Sequence, residues 1–145
     1  MPSVAMMALV VRDYDEAIAF YRDKLDFVLV EDTPQQTAAG PKRWVVMESP
    51  ARTGARLLLA RAANERQAAR IGDQTGGRVF LFLHTDDFER DFARYVARGV
   101  KVARPPSRES YGTVALLEDL YGNLLDLIGP PARDQDVASL TPPGR

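Results

Sequence analysis

The sequence predicts an α+β fold built from two modules, each with the order β-α-β-β-β. The first observation is an apolar run at 3–11, typical of a short buried strand, which is followed at once by a helical pattern. The second is that a strand, a helix and three further strands recur in the same order from residue 77 onward. The third is that the two halves can be aligned with each other. We therefore expect two equivalent modules with eight strands between them.

Two pairs of segments define this internal repeat. Residues 11–15 align with 85–89, and residues 54–58 align with 122–126. The two offsets differ by a change in loop length, which surface loops tolerate.

In the first module, the predicted helix begins at Asp13, and Glu16 three positions later suggests a capping box. Its apolar face consists of residues at helical spacing: Tyr14, Ala17, Ile18, Tyr21 and Leu25. Asp26 is expected to follow the helix end, because Asp tolerates left-handed backbone. Three strands are predicted after it, at 27–31, 43–48 and 56–60. The polar stretch around Pro34, Gly40 and Pro41 is predicted to be a loop.

The second module repeats this order. A strand at 78–85 precedes a helix with Asp87 as its cap and Gly99 at its end. The apolar face of that helix is supplied by Phe88, Phe92, Tyr95 and Val96. Further strands are predicted at 100–103, 113–118 and 124–128. A loop is expected at Pro105-Pro106, and a turn at Tyr121-Gly122-Asn123.

The predicted organisation is a single domain over 1–130. Module one covers 3–60 and module two covers 77–130. The polar, Ala/Arg/Gln-rich segment 61–76 is interpreted as a partly helical linker. The Pro-rich tail 131–145 is expected to be loosely attached or disordered.

Composition excludes several classes of function. Nineteen basic and twenty acidic residues leave a formal charge of −1, and the sequence has no basic stripe, so we expect no nucleic-acid partner. The apolar run at 4–11 is too short to span a membrane, and it lacks the basic flank of a signal peptide. The chain has no cysteine, which is consistent with a reducing compartment. A cytoplasmic location is the resulting expectation.

Two segments carry a resemblance to a known family. Residues 8–27, ALVVRDYDEAIAFYRDKLDF, are similar to the first strand and helix of the vicinal-oxygen-chelate superfamily, also called the glyoxalase/bleomycin resistance protein/dioxygenase family. Residues 118–128, EDLYGNLLDLI, resemble its closing D-P-x-G-N-x-x-E-L signature. The resemblance covers about residues 4–130. It implies a cupped, barrel-like mixed sheet, the glyoxalase/bleomycin resistance fold, and a homodimer.

The resemblance also implies where a divalent metal would be held. The family commonly has His on the first strand, at the position of Met6, and Glu on the last strand, at the position of Asp126. By the repeat, their counterparts are Phe80 and Leu58. Three of these four residues are apolar, and a carboxylate with a thioether does not supply the N and O donors that such an ion needs. We therefore predict no metal and no cofactor, with a divalent metal as the alternative.

Two polar residues are candidates for catalysis. His84, the only histidine, would face the same side of its strand as Phe80 and Phe82. It could act as an acid/base group, or it could simply bond to a neighbouring carbonyl. Asp126 could anchor a ligand or hold a residual metal. Alternatively, it could pair with an arginine such as Arg56 or Arg78.

The predicted ligand cavity combines these positions with aromatic residues. It consists of Met6, Trp44, Leu58, Phe80, Phe82, His84, Tyr111 and Asp126. Such a lining favours an apolar or aromatic small molecule. The favoured hypothesis is a non-metal binding protein, as in bleomycin-resistance-like members of the family. The alternative is a metal-dependent lyase or isomerase of glyoxalase type with non-standard ligands. A dioxygenase is disfavoured, because its iron site needs more than one histidine.

Overall fold

The structure is a computed structural model that describes residues 1–131, and the predicted tail beyond Pro131 lies outside the described residues. The chain divides into two compact units, Met1–Gln74 and a second that begins at Thr75. No helix in residues 1–131 is long and apolar enough to cross a membrane.

The first unit contains one four-stranded sheet, with the strand order β1-β4-β3-β2. Its elements are β1 Met6–Val11, α1 Tyr14–Asp23, β2 Val28–Thr37, β3 Gly40–Glu48, β4 Arg56–Arg61 and α2 Glu65–Ala68. Strands β1 and β4 are parallel, whereas β4, β3 and β2 pair in antiparallel fashion. Helix α1 covers one face of the sheet and forms a core with it: Leu9, Val11, Ala17, Tyr21, Val45, Met47, Leu57 and Leu59.

The second unit repeats this arrangement, with the strand order β5-β8-β7-β6. Its elements are β5 Val79–His84, α3 Phe88–Ala97, β6 Lys101–Glu109, β7 Gly112–Glu118 and β8 Leu124–Ile128. Helix α3 packs against the sheet face that carries the buried residues Ala115, Leu117, Leu125 and Leu127. The described residues thus form the predicted α+β fold of two βαβββ units.

Both main helices begin at the predicted caps. The Asp13 side chain accepts a hydrogen bond from the backbone N–H of Glu16, and the Asp87 side chain accepts one from Arg90. Glu16 pairs with Arg12 at 2.9 Å. Asp26 has a φ of 62°, the left-handed backbone expected after α1.

Strand pairing confirms the internal alignment. Ala8 pairs with Leu58 in the first unit, and Phe82 pairs with Asp126 at the equivalent position of the second. The register shifts between Val79 and Leu81, so Phe80 occupies a bulge without a direct partner on β8.

The two predicted proline loops are wrong, because both stretches belong to strands. Pro34 lies within β2 opposite Arg43, and only Ala38-Ala39 turns between β2 and β3. Pro105-Pro106 lies within β6, where the register shifts on both sides of Arg104. Both β2 and β6 are the last strand of their sheet. Proline is tolerated there, because its missing N–H can face away from the neighbouring strand.

The linker between the modules is partly helical, with α2 capped by Asn64, whose side chain accepts from the Gln67 N–H. At its end, the Gln74 side chain bonds to β1. Its Oε1 accepts from the Val10 N–H at 2.8 Å, and its Nε2 donates to the Ala8 carbonyl at 2.8 Å.

Candidate ligand-binding site

Each sheet has a second face, opposite its helix, and most of the predicted cavity residues lie on these faces. Along β4, Leu57 and Leu59 are buried against α1, while Leu58 between them is half-buried on the other face. Along β8, Leu125 and Leu127 are buried, while Asp126 is half-buried on the other face. Leu58 and Asp126 therefore hold equivalent positions in the two units.

In the first unit, the structure brings Trp44 and Leu58 together. Both line a cavity of about 510 Å³ at the end of the sheet where α1 begins. We call it the Tyr14 cavity. Its remaining lining residues are Tyr14, Thr37, Ala39, Gly40, Pro41, Lys42, Arg43, Leu59, Ala60, Arg61, Ala62, Ala63 and Gln67. Met6 is half-buried at the other end of its strand and is not among them.

In the second unit, one row of side chains crosses the sheet. Asp126 pairs with Phe82 on one side and with Leu116 on the other, and Leu116 pairs in turn with Arg104. Directly paired residues share a sheet face, so an aromatic ring, a carboxylate, an aliphatic chain and a guanidinium follow one another. Phe82 is 58% exposed, an unusual state for a phenylalanine in a strand.

The surroundings of the Asp126 carboxylate disfavour its charged form. Partial burial raises its pKa above the usual value for aspartate, and the positive charge of Arg104 offsets this only in part. No hydrogen bond from another residue within 1–131 reaches this side chain. Arg56, one of the partners considered from the sequence, lies instead 3.7 Å from Glu48. Asp126 is thus an acceptor available to a ligand.

Replacing this residue should therefore stabilise the protein at neutral pH. A raised folded-state pKa means that ionisation opposes folding above that pKa, and that the penalty vanishes below the unfolded-state value. We expect Asp126→Asn to raise the melting temperature at about pH 7 and to have no effect at about pH 3. Melting curves at both pH values test this. Asp86→Asn, an exposed carboxylate on the same unit, is the control. A lower melting temperature for Asp126→Asn at neutral pH would contradict it.

His84 lies at the end of β5 and is exposed. Its strand partner is Ile128, two positions beyond Asp126, so the imidazole and the carboxylate lie on the same sheet face. Within residues 1–131, neither a hydrogen bond nor an ion pair joins them.

Two further predicted residues stand apart from these clusters. Phe80 occupies the bulge of β5 and is half-buried. Tyr111 is 61% exposed in the turn between β6 and β7.

Several residues around these clusters were missed by sequence reasoning. Arg104 lies between the strand predicted at 100–103 and the loop expected at Pro105-Pro106, so no strand face was assigned to it. Arg61 and Gln67 fell into the predicted linker, yet both line the Tyr14 cavity. The signal that could have placed Arg61 is its position directly after the apolar run of β4.

Within residues 1–131, no three His, Asp or Glu side chains are grouped so as to hold a metal ion.

The class of the protein follows from its two βαβββ units and from the turn at 119–123 that leads into β8. The chain belongs to the Glyoxalase/Bleomycin resistance protein/Dioxygenase superfamily, whose family profile matches residues 3–127. This confirms the resemblance inferred from the sequence.

Three individual proteins are similar to this chain over most of its length. An uncharacterized protein of Shewanella frigidimarina (strain NCIMB 400) is 58% identical over 126 residues, which cover 87% of this chain and 92% of that protein. TnmS3, described as an antibiotic binding protein from Streptomyces sp. CB03234, is 28% identical, with a TM-score of 0.69 and coverage of 90% and 97%. A glyoxalase/bleomycin resistance protein from the same strain is 29% identical, with a TM-score of 0.65 and coverage of 87% and 99%.

Proposed function

We propose that this protein binds an apolar or aromatic small molecule and acts by sequestering it, without a metal. The observation that carries the proposal is the row on the second sheet, where the exposed ring of Phe82 lies beside the Asp126 carboxylate. An exposed aromatic ring offers a stacking surface, and the adjacent acceptor can orient a ligand that carries an N–H or O–H group.

The donor set at the family's metal positions supports a degenerate metal site. Met6, Leu58 and Phe80 offer no nitrogen or oxygen donor, and Asp126 alone is a good ligand for a divalent ion. These residues do not fit the family's metal. TnmS3, a relative of the same fold, is described as an antibiotic binding protein, which also favours binding over catalysis. The family resemblance is the ground for proposing in addition a homodimer, and the cysteine-free sequence is the ground for proposing a cytoplasmic location.

The alternative is a metal-dependent lyase or isomerase of glyoxalase type. It is favoured by one observation, the presence of His84 and Asp126 on the same sheet face. In that function, Asp126 would be the residue available to move a proton. One imidazole and one carboxylate fall short of the three protein donors that a catalytic zinc site uses.

Two measurements on the full chain test the proposal. Elemental analysis should find no stoichiometric divalent metal. A chelator should leave the melting temperature unchanged, because only the removal of a metal that stabilises the folded state would lower it. Calorimetric titration with the neutral aromatic amide cinnamamide should show binding that Phe82→Ala weakens about threefold to tenfold.

Val96→Ala provides the matched control, because Val96 is 47% exposed on α3 and lies outside the row. It should leave the affinity for cinnamamide unchanged. A stoichiometric metal that is lost in Asp126→Ala would overturn the proposal and support the lyase. Equal binding by wild type and Phe82→Ala would show that the ligand does not bind at the row of side chains that contains Phe82.

A further inference from the structure

We infer that a groove beside α3 binds a free aromatic amino acid in its zwitterionic form. Arg108 holds the carboxylate and Glu89 holds the ammonium group, while the two phenylalanines of α3 contact the ring. This inference goes beyond the proposed function, because the groove lies on the face of the second sheet that α3 covers, whereas the row with Phe82 lies on the other face. Each site can therefore be tested without the other.

The size of the groove suits such a ligand. Its volume is about 390 Å³, within the range of small-molecule sites. We call it the α3 groove, and all of its lining residues belong to the second unit: Phe88, Glu89, Phe92, Pro106, Ser107, Arg108 and Thr113. The lining comes from the first half of α3 and from strands β6 and β7. The groove therefore lies between the helix and the edge strand of the sheet.

The guanidinium of Arg108 lies on the same sheet face as α3. Arg108 pairs directly with Thr113, and directly paired residues share a face. Thr113 is in step with Ala115 and Leu117, which are buried on the α3 side. The register shifts over the two prolines that follow Arg104, so Arg108 faces α3 although Arg104 faces the other way. The charged and aromatic residues of the inferred site are thus on one side of the sheet.

The internal repeat shows why this groove is open. Glu89 is equivalent to Asp15 of the first unit, and Thr113 is equivalent to Arg43, since both lie three residues before equivalent paired positions of β7 and β3. In the first unit, Arg43 donates a hydrogen bond to Asp15 at 2.9 Å and so joins the sheet to the first turn of α1. A threonine is too short to make this contact. Glu89 is therefore left without the cation that its counterpart has.

The charges of the groove are complementary to those of an α-amino acid. Of the seven lining residues, all within the described part of the chain, only Glu89 and Arg108 are charged. Among residues 1–131, neither side chain forms a hydrogen bond or an ion pair, and the two do not pair with each other. An α-amino acid carries its ammonium and carboxylate on one carbon, so it can bridge two such side chains. A guanidinium donates two parallel hydrogen bonds to a carboxylate, and the ammonium supplies the cation that Glu89 lacks.

The two phenylalanines favour an aromatic side chain on the ligand. The rings of Phe88 and Phe92 are stacked, with centroids 5.6 Å apart and an interplanar angle of 11°. Phe88 is buried and packs closely on Gly129, where an added Cβ would lie 2.6 Å from the Cβ of Phe88. Phe92 is half-buried, so part of its ring remains for contact with a flat ligand.

Titration of the full chain with three related compounds tests the inference. The compounds are L-phenylalanine, 3-phenylpropionate, which lacks the ammonium group, and 2-phenylethylamine, which lacks the carboxylate. The backbone amide signals of Arg108 and Thr113 in NMR spectra give both the affinity and the place of binding. We expect L-phenylalanine to bind with a Kd of about 1 mM or lower, and about fivefold more tightly than either of the other two.

Three variants assign the contacts. Glu89→Gln should remove the preference for L-phenylalanine over 3-phenylpropionate, and Arg108→Gln should remove the preference over 2-phenylethylamine. Thr113→Arg recreates the arrangement of the first unit, so it should fill the groove, pair with Glu89 and abolish binding. The first two variants alter exposed side chains, so their folding is not at risk.

Asp86→Asn and Arg78→Gln are the matched controls, since both residues are exposed in the second unit and lie outside the groove. They should leave both preferences intact. Equal affinities for the three compounds, preferences that survive Glu89→Gln and Arg108→Gln, or no binding at about 10 mM would overturn the inference. So would shifts at Phe82 instead of Thr113. In each of these cases, cinnamamide binding that depends on Phe82 would leave the proposed function standing.

Discussion

Replacing Gly112 with alanine is expected to lower the free energy of unfolding by about 3 kcal/mol or more. A Cβ atom at this position would lie 2.1 Å from the carbonyl oxygen of Gly129 and 3.3 Å from its carbonyl carbon. Gly112 also has a φ of 148°, which L-residues rarely adopt. The clash cannot be relieved cheaply, because the Gly129 N–H donates to the Thr113 carbonyl at 2.8 Å and fixes the two segments together.

Chemical denaturation of the full chain would measure this loss. Gly54→Ala separates the clash from the backbone strain, since Gly54 has a φ of 83° but nothing within 4 Å of an added Cβ. We expect the control to cost only about 1 kcal/mol. Similar losses in both variants would show that the close approach of the two backbones contributes nothing. The contact matters for the site, because it joins β7 to the end of β8, the strand that carries Asp126.

Removing the Asp119 carboxylate is the second change with a large expected effect, a loss of about 3 kcal/mol in unfolding free energy. Asp119 is 6% exposed and lies in the turn before β8. One of its oxygens accepts from the backbone N–H groups of Tyr121 and Asn123, and the other accepts from the Asn123 side-chain amide, all at 2.9 Å. Asp119→Ala would leave these buried and part-buried donors without their acceptor.

Denaturation curves for Asp119→Ala and Asp119→Asn test the hydrogen bonds directly. The asparagine variant keeps one acceptor oxygen, so it should lose less stability than the alanine variant. Asp86→Ala is a control for the loss of a carboxylate, because the Asp86 side chain is 93% exposed and forms a surface ion pair with Arg90. Its cost should be about 0.5 kcal/mol or less. An Asp119→Ala variant as stable as the Asp86 control would contradict this account of the turn.

The sequence was sufficient for the fold because its local signals agree with its long-range repeat. Asp13 and Asp87 begin equivalent helices, and the alignment of the two halves predicted that Leu58 and Asp126 occupy equivalent positions. Side chains along a strand alternate between the two faces of the sheet, so a correct register determines the face of many side chains at once.

The prolines show where local signals fail. A proline breaks a strand only where its missing N–H would have bonded to a neighbour, and the sequence does not show which strands lie at a sheet edge. Pro34 and Pro105 both lie in edge strands, so the predicted loops were wrong. The error hid Arg104, which modifies the electrostatics of Asp126.

The Tyr14 cavity could not be predicted for a different reason. It depends on Arg61, which follows the last apolar residue of β4, approaching the first residue of α1. Such a contact is set by how the helix packs on the sheet, and no local pattern in a single sequence encodes it. Trp44 and Leu58, two of the predicted cavity residues, line it, but the cationic side chains that also line it were not among the predicted residues.

Gln74 has a consequence for how the protein behaves in a crowded cell. Its primary amide bonds to Ala8 and Val10 as the peptide group of an adjoining strand would, and β1 is the terminal strand of its sheet. An open strand edge is a template on which another chain can add and aggregate, and a side chain that already occupies those hydrogen-bonding groups blocks that addition. The segment that leads from β4 to Gln74 is therefore more than a spacer. Its length must allow the Gln74 amide to reach the Val10 N–H and the Ala8 carbonyl. We therefore expect insertions and deletions in this segment to be poorly tolerated.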